Sequence, residues 1–137
     1  LADAVGTGLV SIGSHTHAHL LADRTPAAEL AADLDRSIGL IEDHLGVHPV
    51  HFAYPKALPA PAGSPAAAEV AARFVTAAVA GGRRNRYGRT DKQHLARTPI
   101  TVGDGVDGFA RKVEGGLRLE GWAREQLDRR RYAGATR

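Results

Sequence analysis

Cysteine is absent from the 137 residues, which excludes disulfides, thiolate metal sites and a cysteine nucleophile. Methionine is absent too, and position 1 is Leu1. Translation starts on methionine, so the expectation is a chain that has been processed, trimmed or drawn from a longer one. No apolar run approaches the roughly 18 residues of a membrane span, and no leader-peptide pattern is visible. Aromatic residues make up only 5%. Their scarcity bears on the mild basic excess, 18 Lys and Arg against 15 Asp and Glu. That excess gathers at Arg83, Arg84, Arg86 and Arg89, and again at Arg129, Arg130, Arg131 and Arg137. Basic patches can hold a phosphate backbone, but no aromatic side chains interleave with these arginines as stacking platforms. Nucleic acid is therefore not expected as a partner.

The apolar fraction of 43% and the charged fraction of 24% suit one soluble globular domain. Leu9-Val10-Ser11-Ile12 alternates and reads as a short strand running into Gly13-Ser14. Thr25-Pro26 opens a helix, a capping hydroxyl followed by a proline whose missing N–H costs nothing there. Leu30, Leu34, Ile38, Ile41 and Leu45 form its apolar stripe, with Asp33, Asp35, Arg36, Glu42 and Asp43 mostly off it, and Gly46 ends it. Val50 to Ala53 reads as a second strand ending at Tyr54-Pro55, and Lys56 to Pro65 as a proline-rich loop. A short helix over Ala66 to Arg73, a strand over Phe74 to Val79, a basic excursion over Gly81 to Lys92 and a strand over Leu95 to Val102 follow. Gly105 to Val113 and Leu119 to Arg131 read as helices, the last anchored by Trp122 and Leu127. This order predicts an α/β fold, either a mostly parallel sheet or part of a barrel.

Three histidines, His15, His17 and His19, stand at alternate positions just past the first predicted strand. In α/β folds, sites are built at the C-terminal ends of strands. Neutral imidazole is a common ligand of zinc and similar ions, and a catalytic zinc takes three protein ligands. An extended segment would let any pair converge; a helical turn would bring His15 and His19 together. A metallo-β-lactamase pattern needs an aspartate where Ala18 stands. The His-x-His pair of the amidohydrolase barrels fits His15 and His17 locally and stays open as an alternative. The remaining histidines read as surface or structural groups: His44 and His48 as solvated, His51 as part of its strand. Trp122 reads as a packing residue.

Ser14-His15-Thr16-His17-Ala18-His19 resembles the His-Ser/Thr-x-x-His motif of the polysaccharide deacetylases, the NodB-homology family. The Gly8 to Ser14 approach, the helix with Glu29-Leu30, Asp33-Leu34, Ser37, Ile41-Glu42 and Leu45-Gly46, the Phe52-Ala53-Tyr54-Pro55 segment and Arg97-Thr98-Pro99-Ile100 resemble the family in the same order. The resemblance covers roughly residues 8 to 115, leaving 116–137 as a C-terminal helix and basic tail. It implies a distorted (β/α) barrel of the NodB type, here partial, with its first strand or strands missing, so that residues 1–137 would form a single incomplete catalytic domain. It implies an acetylated polysaccharide or aminosugar as substrate and a divalent metal, zinc before others. Hydrolysis would proceed by metal-bound water attacking the acetyl carbonyl. The metal ligands map to His15 and His19, and the substrate and oxyanion contacts to Tyr54, Pro55 and Lys56. A cell-envelope or extracellular setting is implied by the resemblance alone.

The departures from the family pattern concern catalysis. Its Asp-Asp motif, which supplies the general base and the third ligand, lies upstream of the histidines, and Asp3 is the sole acid before His15. The base aspartate is therefore expected to be missing and the chain by itself inactive. Ala53 replaces an orienting arginine, Ala57 replaces a glycine, and Thr101 to Asp104 occupy the place of a late general-acid histidine, for which His94 is a weak substitute. A non-catalytic carbohydrate-binding remnant is the third reading.

Overall fold

The computed structural model describes residues 1–81, 84–114, 123, 126, 127 and 130. Among them are four helices: α1 Ala2–Gly6, α2 Ala27–Leu45, α3 Pro65–Arg73 and α4 Gly105–Glu114. Three short strands, β1 His51–Ala53, β2 Thr76–Ala80 and β3 Leu95–Arg97, form a parallel sheet in the order β1-β2-β3. Phe52 pairs with Ala77, and Ala78 with Leu95. The α/β expectation holds in this form: a parallel sheet in which α3 carries the crossover from β1 to β2.

α2 forms because its apolar residues recur at helical spacing, and it ends where Gly46 takes a left-handed φ of 66°. Its buried positions are Leu30, Asp33, Leu34, Ser37 and Ile38, an i, i+3, i+4, i+7, i+8 face. Ile41 and Leu45 are half-buried. α3 starts on Ser64, whose hydroxyl accepts from the Ala67 amide, with Pro65 at its first position. α2 and α3 lie against one sheet face, where Leu30, Leu34, Val70, Phe52, Phe74, Ala77 and Val79 form one apolar cluster. Phe52 stacks on Phe74 with ring centroids 5.0 Å apart. At the rim, Arg73 grips Asp35 with two hydrogen bonds of 2.5 and 2.8 Å and also pairs with Glu69. His51, Ala53, Thr76 and Ala78 point to the opposite face, and none of them is buried.

Several boundaries differ from the sequence reading. Leu9 to Ile12 is not a strand; Leu9 is 89% exposed, and only Ser14 comes within bonding range of the sheet, as a single parallel bridge to Phe52. The third strand stops at Arg97 instead of reaching Val102, because β2 ends opposite it and Pro99 offers no N–H to a ladder. A capping-box 3-10 turn at Val102–Asp104 follows. Thr25 does not cap α2: its hydroxyl donates to the Leu21 carbonyl at 2.8 Å, and Pro26 is the N-cap. Trp122 and most of the predicted helix over 119–131 lie outside the described residues. His44 and His48 are exposed as expected, and His48 pairs with Glu42 at 2.6 Å.

Leu34 is fully buried at the centre of the cluster. Leu34→Ala is expected to lower stability by about 2–5 kcal/mol through lost burial and an unfilled cavity. A denaturant midpoint unchanged from the parent chain would contradict this placement.

Candidate functional site

The site begins where the chain joins the sheet. The Ser14 amide donates to the His51 carbonyl at 2.8 Å, and the Ala53 amide donates to the Ser14 carbonyl at 2.9 Å. Gly13 must be small here, since a Cβ would stand 2.9 Å from the His51 oxygen. The Ser14 hydroxyl, buried, shares a hydrogen bond of 2.8 Å with Ser37 of α2. From this anchor the chain turns through Thr16, φ 64°, and His19, φ 58°. A non-glycine residue in the left-handed region costs about 1–2 kcal/mol, so the turn must be held from outside.

α2 supplies that hold. The Asp33 carboxylate, 9% exposed, accepts from the His17 amide at 2.7 Å and from the Ala18 amide at 2.8 Å. The sequence reading had grouped Asp33 with the charges mostly off the apolar stripe. The signal was present: Asp33 and Ser37 occupy two of the five positions of the buried helical period, where polar residues need partners.

The turn brings His15 and His19 together, with ring centroids 5.1 Å apart and planes at 73°. His15 Nδ1 lies 2.6 Å from the Ala53 carbonyl oxygen. A carbonyl only accepts, so Nδ1 carries the proton and Nε2 keeps its lone pair in the neutral ring. This is the orientation that second-shell hydrogen bonds give metal-ligating histidines. Burial lowers the pKa of His19 below its usual 6.5, with the neighbouring His15 and Lys56 adding to the effect. The His15 bond leaves its Nε2 facing outward as a donor atom, and the lowered pKa favours the neutral form of His19 that binds metal. His17 contributes its backbone amide to the Asp33 clamp, and its side chain is exposed.

The donor set therefore fits a divalent metal as two ligands. Among the described residues no group of three His, Cys, Asp or Glu side chains is placed to hold an ion. Asp3, the sole acid before His15, lies on the exposed α1.

The Tyr54-Pro55-Lys56 segment follows β1 directly. Tyr54 is 2% exposed, edge-on to Phe52 and nearly parallel to His94 at 6.1 Å. Burial, reinforced by Asp91, pushes its hydroxyl pKa up to about 12. Pro55 is buried and Lys56 exposed. Lys56 and Ala57 have φ of 52° and 58°. Ala57 thus occupies a backbone conformation that glycine would adopt without strain. Beyond it lies a cleft of about 800 Å³, lined by Asp23, Leu58, Pro61, Val79, Asp91 and His94 among others. His94 Nδ1 is 2.7 Å from Asp91 Oδ2, and hydrogen bonds from Gln93 and His94 lower the pKa of Asp91.

Two measurements check this geometry. Because His19 is harder to protonate in the folded chain, the unfolded state takes the proton first as pH falls below 6.5. Its contribution to stability is therefore complete above that pH and lost below it. An NMR titration should place the His19 midpoint below 6.5, and His15→Ala should raise it without restoring it fully; an unshifted midpoint would refute the assignment. Ala57→Gly should raise stability by about 0.5–1 kcal/mol by relieving the left-handed backbone, read from thermal or urea unfolding.

Comparisons with known proteins bear on the family and the fold. The family model described as "Polysaccharide deacetylase" matches residues 1–74. A polysaccharide deacetylase structure from Bacillus cereus superposes with a TM-score of 0.67 at 18% identity, over 82% of this chain and 34% of that one. IcaB from Ammonifex degensii gives 0.59 at 24% identity, over 75% and 47%. A de-N-acetylase from Aggregatibacter actinomycetemcomitans gives 0.63 at 18%, over 81% and 50%. The chain spans between a third and a half of the length of these structures. No curated protein matches it.

Proposed function

The chain belongs to the polysaccharide deacetylase family, and on that premise we propose that the whole protein is a metal-dependent hydrolase that removes acetyl groups from a polysaccharide or aminosugar. The observation that carries this reading is the convergence of His15 and His19 on a turn fixed at the mouth of a parallel sheet. His15 and His19 are two of the ligands of a divalent metal, zinc before others. Bound there, such an ion supplies a Lewis acid that acidifies water and polarises an acetyl carbonyl.

The chain's own residues do the remaining work within its reach. The Ala53 carbonyl fixes the His15 tautomer. Burial, with His15 and Lys56 nearby, lowers the pKa of His19 and so favours its neutral form. The strained backbone at Lys56 and Ala57 sits where the family resemblance puts an oxyanion-facing amide, and Pro55 and the buried Tyr54 hold that segment against the core. The cleft that begins at Leu58 and Asp23 receives neighbouring sugar units.

The reading requires a third ligand and a general base from an aspartate-bearing strand in the rest of the protein, since Asp3 is not placed to serve. It also takes the sheet as a segment of a distorted (β/α) barrel. The face bearing His51, Ala53, Thr76 and Ala78 then lines the barrel interior, and α2 and α3 lie outside.

Zinc titration by calorimetry on this chain tests the ligand assignment. His15→Ala and His19→Ala should each weaken binding at least tenfold, and His17→Ala should leave it within about threefold. Loss on His17→Ala with retention on His19→Ala would overturn the assignment in favour of a His15 and His17 pair.

A further inference from the structure

Asp33 stands at a helix position whose period calls for an apolar side chain, between Leu30 and Leu34 and one turn before Ser37. Placing a carboxylate there carries a desolvation cost unless hydrogen bonds offset it. Both of its oxygens are engaged, one by the His17 amide and one by the Ala18 amide, at 2.7 and 2.8 Å. Charge-assisted bonds of this length are stronger than neutral ones. Their donors are the consecutive amides between Thr16 and His19, the two residues with left-handed backbone. The bonds thus act on the segment that sets the angle between the His15 and His19 side chains. The other end of that segment is already fixed by the Ser14 bridge and by the bond of His15 to Ala53.

We propose that Asp33 is a positioning residue: its carboxylate imposes the turn that makes the His15 and His19 rings converge, and thereby sets the divalent-cation affinity of the pair. The role in cation binding rests on the reading of His15 and His19 as ligands; the role in ring convergence does not. An asparagine in the same pose keeps one acceptor oxygen for one amide and turns an NH2 donor toward the other. An alanine satisfies neither, and the turn then relaxes toward ordinary backbone angles that carry His19 away from His15.

The test is NMR on the intact chain, reading the ring-to-ring NOE between His15 and His19 and the exchange rates of the His17 and Ala18 amides, beside zinc titration. Asp33→Ala should speed both amides at least tenfold, abolish the NOE and weaken zinc binding about 10–100-fold, the range seen when outer-shell partners of metal ligands are removed. Asp33→Asn should release one amide, retain the other and weaken the NOE. Asp35→Ala, which breaks the Arg73 pair on the same helix, serves as the control for lost stability and should leave the NOE and both amides unchanged. Persistence of the NOE with protected amides in Asp33→Ala would overturn the proposal, even if zinc still binds. Loss of the NOE in a chain whose parent binds no zinc would uphold the positioning role and refute cation binding by the His15 and His19 pair alone. If Asp33→Ala does not fold, Asp33→Asn decides: a weakened NOE supports the proposal and an unchanged one overturns it.

Discussion

The two backbone hydrogen bonds that tie Ser14 to the residues flanking Phe52 set the geometry of everything around the histidines. They are the sole ladder contact of the N-terminal segment among the described residues. They place His15 level with the end of β1, where its ring reaches the Ala53 carbonyl. Phe52, between the bonded residues, drives into the apolar cluster under α2 and α3. The site is thus coupled to the core through one buried aromatic residue, and displacement of β1 would be felt at the imidazole pair.

Helix α2 joins these two roles on one face. Leu30, Leu34 and Ile38 supply burial, whereas Asp33 and Ser37, interleaved with them, reach across to the turn and to Ser14. Burial is non-directional and would accept many registers of the helix against the sheet. The two polar contacts are directional and accept one. The same helix therefore contributes both stability and registration, through residues three and four positions apart.

Much of this was legible from the sequence for reasons that are local. The stripe from Leu30 and the stop at Gly46 rest on helical period and turn chemistry, and α2 and α3 formed near their predicted limits. The short strand at Phe52 was legible because β-branched and aromatic residues stand between two proline breaks. Leu9 to Ile12 was misread because alternation reports a strand only when a partner lies alongside, and pairing is not encoded in the segment itself. Asp33 was misjudged because a charge next to an apolar stripe is usually solvated; which side of the boundary it falls on depends on the Ser14 turn folding back over the helix. The left-handed angles at Thr16, His19, Lys56 and Ala57 carry no glycine signature and arise from tertiary contacts. The approach of His15 to His19 was one of two geometries open to the sequence, and the Asp33 clamp is what distinguishes them.

The excursion between β2 and β3 has one further consequence. The Asn85 side chain donates to the Ala96 carbonyl and accepts from the Ala96 amide, both at 2.9 Å, reproducing with an amide side chain what a neighbouring strand would offer. It plugs the outer rim of β3 at the middle residue of that strand. At the opposite rim, on β1, Ser14 takes the His51 carbonyl and the Ala53 amide, and the His15 ring takes the Ala53 carbonyl. Both margins of the sheet are thus met by local hydrogen bonds among the described residues, which discourages intermolecular strand addition at either.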